Sequence, residues 1–182
     1  MTPGTTAVIF GLGSVGLNVA FGCKIAGVKN IIGIDINDDK KTIAAEFGVT
    51  EFVSSKTENL EKYLSDKKIQ VDYAFECVGN QTVLDTALKI LAPFGKLVFI
   101  GVSPQNTEIR YPAGQLLLGR SIVGTLYGNK QSTAGCTELV QMYTEGKYDI
   151  DRLITNKFNL QQINEAFQIL KDRKCVKSII VF

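Results

Sequence analysis

Three glycines and one acid near the start of the chain have a spacing suited to a phosphorylated ligand. Gly11, Gly13 and Gly16 follow the G-x-G-x-x-G pattern. In this pattern the first glycine permits a tight turn, the second lets the backbone approach a pyrophosphate, and the third lets a helix pack closely on a sheet. Asp35 comes 19 residues after Gly16, near the ~20-residue offset of an acid that binds ribose hydroxyl groups. The spacing therefore predicts a dinucleotide site.

Such a site needs a strand before the glycines and a helix after them. Residues 7–10 are apolar and predict a buried strand, and residues 30–35 predict a second strand that ends at the acid. Between them, apolar residues recur at helical spacing: Val15, Val19, Cys23 and Ala26. Gly27 ends this helix. A β-α-β unit of about 30 residues places the helix N-terminus, with its free N–H groups, toward a pyrophosphate.

The following segments continue the alternation of strands and helices. Further strands are predicted at residues 50–53, 71–76, 97–100 and 121–127. Three helices are predicted between these strands. The first lies at residues 38–47, and the second begins after a capping box formed by Ser55 and Glu58. The third runs from Val83 to Leu91 and stops at residues 93–95. Continuously apolar strands separated by helices predict an α/β fold, a doubly wound parallel six-stranded Rossmann sheet. Residues 1–128 form the predicted dinucleotide-binding domain.

Residues 129–182 are predicted to form a C-terminal extension of helices and one strand. A helix at residues 133–144 is expected to bury three apolar side chains, those of Leu139, Val140 and Tyr143. Asn159 is expected to cap a second helix, which has Leu160, Ile163, Phe167 and Leu170 on one face. The chain ends in a predicted strand at residues 177–182, and its apolar end would be exposed without a partner segment.

Composition excludes several classes of function. The chain has 182 residues, of which 45% are hydrophobic and 21% charged, and a formal net charge of +2 that does not favour nucleic acid. It has no apolar run of membrane-spanning length and no secretory signal segment, so we expect a cytoplasmic protein. It contains no histidine, which excludes histidine catalysis and ligation within it. Its four separated cysteines favour reduced core positions over a metal site.

Asp35 is the candidate residue with the most specific predicted role. Its carboxylate could accept both ribose hydroxyl groups and repel a 2′-phosphate, which favours NAD over NADP, although a solvated acid has the same appearance in a sequence. Lys40 could reach the same ribose or face water. Because ligands bind beyond the carboxyl ends of parallel strands, Cys77 and Val78 could line an adenine pocket, and Gly101–Val102 could pass near a nicotinamide. No cluster supplies an electrophile or a proton source, so no catalytic residue is predicted.

Five segments resemble zinc-containing medium-chain alcohol dehydrogenases. They are residues 8–17, 31–40, 72–80, 119–121 and 177–182, and the resemblance covers essentially the whole chain. Within this family the chain most resembles the branch that holds the classical alcohol dehydrogenases and glutathione-dependent formaldehyde dehydrogenase. Two positions depart from the family pattern: Asn80 and Lys177 stand where arginine is common. Lysine keeps the charge but loses a bidentate grip on phosphate.

The resemblance implies a set of cofactor-binding residues. The pyrophosphate would lie on Gly11, Leu12, Gly13, Ser14, Val15 and Gly16, the adenosine on Asp35, Ile36 and Lys40, and the nicotinamide side on Ile100, Gly101 and Val102. Leu126 and Tyr127 would lie where the cofactor domain meets a catalytic domain, and Lys177 would contribute its charge. The family's zinc ligands and proton relay come from an N-terminal domain, and none of those residues is present in this chain.

The sequence therefore predicts the NAD-binding part of an alcohol dehydrogenase, which would bind cofactor without turnover of an alcohol or aldehyde. The alternatives are a non-catalytic dinucleotide-binding or assembly module, and a methyltransferase that binds S-adenosylmethionine, whose glycine turn is usually tighter. Residues 107–111 alternate like an edge strand. In the family this region continues the sheet into a second subunit, which implies a homodimer, and a solvated loop is the other interpretation.

Overall fold

A computed structural model describes residues 1–129 and 132–182 of the chain. The described residues divide into two units, residues 1–125 and residues 126–182. Lys130 and Gln131 fall inside the predicted C-terminal extension and lie outside the described residues. The assignment of residues 1–128 and 129–182 to a cofactor domain and an extension stays a prediction.

Six strands form the sheet of the first unit. They are β1 (Thr6–Phe10), β2 (Asn30–Asp35), β3 (Glu51–Ser54), β4 (Val71–Glu76), β5 (Leu91–Phe99) and β6 (Ser121–Gly124). Every neighbouring pair is parallel, and the order across the sheet is β3-β2-β1-β4-β5-β6. This order confirms the predicted six-stranded Rossmann sheet, in which chain order reverses between β1 and β4.

Helices connect the strands. They are α1 (Ser14–Ile25), α2 (Lys41–Glu46), α3 (Leu60–Asp66), α4 (Gln81–Lys89) and α5 (Ala113–Leu116), with a short 3-10 helix (Asp38–Lys40) before α2. The buried face of α1 consists of Gly16, Leu17, Ala20 and Cys23. Val15, which we placed on the apolar face from its spacing, is 48% exposed. Small residues let α1 lie close to the sheet, so the buried face follows side-chain size as well as hydropathy.

The core of the first unit lies against the central strands. All five residues of β1 are buried, because β1 is paired on both sides and covered by apolar side chains. The core cluster includes Val8, Ile32, Ala74, Leu84 and Leu97. Full burial of one such aliphatic side chain stabilises the fold by roughly 1.5–3 kcal/mol. This core fixes the strand ends that carry the candidate site.

The start of α3 corrects one prediction. Ser55 and Glu58 form no capping box, because residues 55–57 make a turn in which the Glu58 N–H donates to the Ser54 carbonyl (3.0 Å). The helix begins later, at Leu60, and the Asn59 side chain accepts the Lys62 N–H (2.9 Å). Asparagine is as good an N-cap as serine, so the local sequence offered two starts and the turn selected the second.

The region after α4 corrects another prediction. The helix ends at Lys89, and Leu91, which we assigned to it, begins β5. Pro93–Gly95 do not separate a helix from a strand but lie inside the nine-residue β5, whose pairing with β4 shifts register between Val71 and Tyr73. An irregular pairing of this kind tolerates a proline, since one backbone N–H is not needed there.

The edge segments are shorter than predicted. β6 ends at Gly124 and does not continue to Tyr127. Residues 107–111 form no strand with any other described part of the chain. Instead, the Gln81 side chain bonds both backbone groups of Glu108, with Nε2 donating to its carbonyl (2.8 Å) and Oε1 accepting its N–H (3.0 Å). The backbone groups of Glu108 are therefore bonded by a side-chain amide and not by a neighbouring strand.

The second unit contains two helices and a small sheet. Its elements are α6 (Ser132–Thr144), β7 (Ile154–Phe158), α7 (Ile163–Lys171) and β8 (Lys177–Ile180). β7 was not predicted; it pairs in parallel with β8, so the C-terminal strand has a partner within the chain. Asn159 forms a capping box with Gln162 before α7. Leu139, Val140 and Tyr143 were expected to be buried, but all three are exposed.

Within the described residues, no helix is both long enough and apolar enough to cross a membrane.

Candidate functional site

The predicted cofactor residues of the first unit lie at one edge of its sheet. Gly11 follows β1, Asp35 ends β2, Cys77 follows β4 and Ile100 follows β5. These four strands are neighbours in the order β2-β1-β4-β5, and all are parallel, so their carboxyl ends meet. The reversal of chain order at β1 opens the crevice in which sheets of this type bind ligands.

The glycine turn is built into the sheet edge. The Gly11 N–H donates to the Ile34 carbonyl (2.8 Å), which joins the turn to the end of β2. A Cβ on Gly16 would overlap the Gly11 carbonyl oxygen, so only glycine lets α1 lie this close to the turn. A Cβ on Gly13 would meet no protein atom within 4 Å. Packing does not require glycine at Gly13, and the open space is where a ligand can approach the backbone.

The start of α1 can receive an anion. Gly13 is the N-cap of this 12-residue helix and offers no side chain to cap it. The first return bond of the helix runs from the Leu17 N–H to the Gly13 carbonyl (2.9 Å). The N–H groups of Ser14, Val15 and Gly16 therefore have no partner within the helix and, with the dipole, favour a phosphate.

Asp35 is connected to the glycine turn directly. Its carboxylate is 8% exposed, and Oδ2 accepts the Leu12 N–H (2.7 Å). Oδ2 also pairs with the Lys40 ammonium (2.9 Å), and Oδ1 accepts the Asn37 N–H (2.9 Å). The acid and the turn therefore hold each other in place. A carboxylate has about four acceptor positions, so these three donors leave room for one further donor, on the Oδ1 side.

Lys40 and Ile36 lie beside this acid. Lys40 is half-buried, and its ammonium has three N–H donors, of which one points at Asp35. The remaining two can donate to hydroxyl oxygens of a ligand. Ile36 is 39% exposed and follows directly after β2. Together these residues offer an acceptor, a donor and an apolar surface at one point of the crevice.

The ends of β4 and β5 supply the opposite wall. The Cys77 N–H donates to the Phe10 carbonyl (3.0 Å), which joins the end of β4 to β1. Val78 is half exposed, while Val102 is almost fully exposed. The N–H groups of Ile100 and Gly101 both donate to the Glu76 carbonyl (2.9 Å each). The wall therefore presents apolar side chains, and the N–H groups of Cys77, Ile100 and Gly101 in its backbone are already bonded.

Cys77 is suited to packing. Burial, the neighbouring Glu76 and Cys23 together raise the pKa of its thiol to about 12. Burial likewise raises the pKa of the Cys23 thiol to about 12. Both thiols are therefore neutral near pH 7 and are poor nucleophiles and poor metal ligands. In the described part of the chain, no three residues among the cysteines, aspartates and glutamates gather as a metal site would require.

Glu76 is a site residue that sequence reasoning passed over. It is fully buried, and its side chain binds backbone N–H groups of the loop that follows β4. We predicted a strand at residues 71–76 but assigned no role to the acid that ends it. The available signal was an acid at the last position of an apolar strand, which is also the position of Asp35 in β2.

Two predicted residues belong to the second unit. Leu126 begins this unit and is 73% exposed, and its N–H donates to the Asn129 side chain (3.2 Å). Lys177 begins β8 and is exposed. Their roles in cofactor binding stay predictions.

The strand order and the glycine turn at the reversal point define a Rossmann-like fold of the dinucleotide-binding class. Residues 14–145 match the zinc-binding dehydrogenase family, and the chain belongs to this family. Membership confirms the resemblance drawn from the sequence motifs.

Two curated relatives and one solved structure are similar to almost the whole chain. The chain is similar to geraniol dehydrogenase of Carpoglyphus lactis, with 50% identity over 181 residues, 98% of this chain and 48% of that protein. It is also similar to S-(hydroxymethyl)glutathione dehydrogenase of Paracoccus denitrificans, with 37% identity over 188 residues, 98% of this chain and 50% of that protein. The crystal structure of benzyl alcohol dehydrogenase from Acinetobacter calcoaceticus superimposes with a TM-score of 0.90 at 28% identity, over 98% of this chain and 50% of that one. The chain thus spans about half the length of the relatives it matches.

Proposed function

We propose that this chain binds NAD(H) at the carboxyl edge of its sheet and is the cofactor half of an alcohol dehydrogenase. The observation that carries the proposal is the contact between the glycine turn and Asp35, in which the Leu12 N–H donates to the carboxylate at 2.7 Å. This contact fixes a ribose-binding acid at a set distance from a pyrophosphate-binding turn. A dinucleotide carries both groups, so one rigid connection serves its two polar parts.

Each part of the site has a defined task in this proposal. The N–H groups of Ser14–Gly16 bind the pyrophosphate, and Asp35 Oδ1 accepts one ribose hydroxyl while Lys40 donates to the other. Ile36 and Val78 cover the adenine, Cys77 lines its pocket, and Ile100–Val102 lie on the nicotinamide side. A 2′-phosphate would meet the Asp35 carboxylate, so the site prefers NAD to NADP.

The bound cofactor would supply the hydride acceptor for alcohol oxidation. Polarisation of the alcohol oxygen needs a Lewis acid, and the described residues hold no group that fits zinc. We propose that zinc and substrate are bound by residues that correspond to the half of the relatives' length that this chain does not span. Names of the relatives support a small alcohol as substrate, since they include a geraniol and a benzyl alcohol dehydrogenase. The chain by itself is expected to bind NADH without turning over alcohols.

Replacement of Asp35 tests the proposal. Asp35→Ala is expected to weaken NAD binding by about 1.5–3 kcal/mol, because hydrogen bonds to a charged group are lost, and to relax the exclusion of NADP. Calorimetric titration with NAD and NADP measures both effects. Asp66→Ala, which removes an exposed acid at the end of α3, is the matched control and should leave both affinities unchanged. If Asp35→Ala binds NAD as tightly as the parent, the ribose assignment is wrong.

We also propose that the protein forms a homodimer through the free edge of this sheet. β6 is the last strand on one side, and Val123 and Gly124 in it are exposed. Light scattering over a range of concentrations measures the mass in solution. A mass that stays that of a monomer at every concentration would rule the dimer out.

A further inference from the structure

Glu76 is an unusual residue to find without solvent contact. It ends β4 and has 0% exposure, so its carboxylate must be bonded within the protein. Oε1 accepts the N–H groups of Val78 (2.9 Å) and Gly79 (2.8 Å), and Oε2 also accepts the Gly79 N–H (3.0 Å). The backbone carbonyl of the same residue accepts the N–H groups of Ile100 and Gly101. One residue thus binds both loops that form a wall of the crevice.

The two loops pass each other at a point where there is no space for side chains. Gly79 has φ +77°, and a Cβ on it would overlap the Val102 carbonyl oxygen. A Cβ on Gly101 would overlap the Gly79 nitrogen and lie 2.6 Å from Glu76 Oε2. The loops after β4 and β5 are therefore in direct backbone contact, and the Glu76 side chain fills the space beside that contact.

The same junction reaches the glycine turn. A Cβ on Gly11 would lie 2.7 Å from Val78 Cγ2, and the Cys77 N–H donates to the Phe10 carbonyl at the end of β1. A shift of residues 77–79 would therefore move the Val78 side chain that lies against Gly11. The length of the Glu76 side chain matters as well as its acceptor oxygens, because Oε1 must reach the two successive N–H groups of Val78 and Gly79.

We propose that Glu76 is a positioning residue that sets the distance between the loops after β4 and β5, and thereby the fit of the dinucleotide between them. The inference rests on the proposed function in one respect, since the ligand whose fit it controls is NAD(H). Glu76 does not touch the cofactor in this account. It acts through Val78, Gly79 and Gly101, whose backbone it holds.

Three substitutions separate reach from charge. Glu76→Gln keeps the reach and one acceptor oxygen but removes the charge, Glu76→Asp keeps the charge but draws the acceptors back by one methylene, and Glu76→Ala removes both. We expect Glu76→Asp and Glu76→Ala to weaken NADH binding about tenfold or more, and Glu76→Gln to weaken it by less than about threefold. Asp72→Ala is the matched control, because Asp72 lies on the same strand and its Oδ2 accepts the Thr6 N–H (2.8 Å) at the opposite end.

The experiment titrates NADH into each folded variant of the full chain, with nicotinamide fluorescence as the signal. Hydrogen exchange of the Val78 and Gly79 amides is measured in parallel without cofactor. Positioning predicts faster exchange of these two amides in Glu76→Asp and Glu76→Ala, and unchanged exchange there in Asp72→Ala. A purely structural role predicts instead that Asp72→Ala loses NADH affinity to the same extent as Glu76→Ala at equal loss of stability.

Two outcomes overturn the inference. If Glu76→Gln binds NADH much more weakly than Glu76→Asp, the charge and not the reach of the side chain matters. If the Val78 and Gly79 amides exchange at the parent rate in Glu76→Ala, Glu76 does not hold the loop. Failure of the parent chain to bind NADH would instead count against the proposed function, and the exchange result would still decide whether Glu76 holds these residues.

Discussion

The two units of this chain differ in where their apolar side chains lie. In residues 1–125 the strands and helices enclose a continuous core, and Leu84 and Leu97 have almost no exposed surface. In residues 126–182 several apolar side chains on α6 and α7 are about half exposed, among them Leu139, Phe167 and Leu170. Helical spacing of apolar residues is equally clear in both units. The comparison shows that such spacing predicts a helix, whereas burial of the apolar side chains depends on what packs against them.

The largest difference is expected from matched leucine truncations. Leu84→Ala in α4 should lower the free energy of unfolding of the first unit by about 2–5 kcal/mol, because it removes a fully buried side chain and leaves a cavity. Leu139→Ala in α6 should change the stability of the second unit by less than about 0.5 kcal/mol, because that side chain is 53% exposed. Urea unfolding, with hydrogen exchange of β1 and α6 amides as local probes, measures both values. A large cost for Leu139→Ala would remove the contrast between the units.

Removal of a helix cap is expected to cost less stability than Leu84→Ala, and to cost the same in both units. Asn59 caps α3 in the first unit, and Asn159 caps the helical segment before α7 in the second. Each replacement by alanine should cost about 1 kcal/mol, because a backbone N–H loses its side-chain acceptor in a solvated place. Local hydrogen exchange in α3 and α7 checks the two values. Equal costs would show that the units differ in burial and not in local helix structure, whereas a cap effect in one unit alone would contradict this view.

Cysteine modification is expected to separate the units without changing their stability. Cys23 and Cys77 in the first unit have thiol pKa values raised to about 12, so at pH 8 only about one thiol in ten thousand is ionised. Cys136 in the second unit is exposed. Iodoacetamide at pH 8 should therefore modify Cys136 first, as read by peptide mass spectrometry. All four cysteines should react in urea, and labelling of Cys77 in the folded chain as fast as that of Cys136 would contradict this order.

The sheet of the first unit could be predicted in some detail from the sequence. Buried parallel strands are continuously apolar, and each of the six predicted strands overlaps an observed one. The glycine spacing and Asp35 also predicted which strand ends would meet, because parallel strands bring their carboxyl ends to one edge. The periodicity of apolar residues and the positions of turn residues are sufficient to predict an element where its local preference and its tertiary packing agree.

The errors arise where tertiary contacts decide between local alternatives. Pro93–Gly95 is a breaker by composition, yet β5 pairs with β4 on both sides of it, at Leu91 and at Lys96. β7 contains Thr155, Asn156 and Lys157, which are not typical of a buried strand, and only its pairing with β8 identifies it. The contact between Asp35 and the Leu12 N–H, and the position of Glu76 between two loops, depend on distances across the sheet that no spacing along the chain encodes.

β1 is the first of the six strands of its sheet to be synthesised, and it lies between β2 and β4. Thr6 and its partner Asp72 are separated by 66 residues, so at ordinary rates of synthesis the second edge of β1 stays open for about 3–13 s after the strand itself is made. All five of its residues are destined for burial, and an open apolar edge is a template for pairing with other chains. Because β1, which leads into the glycine turn, is a central strand, its open edge in the nascent chain needs protection until β4 has been synthesised.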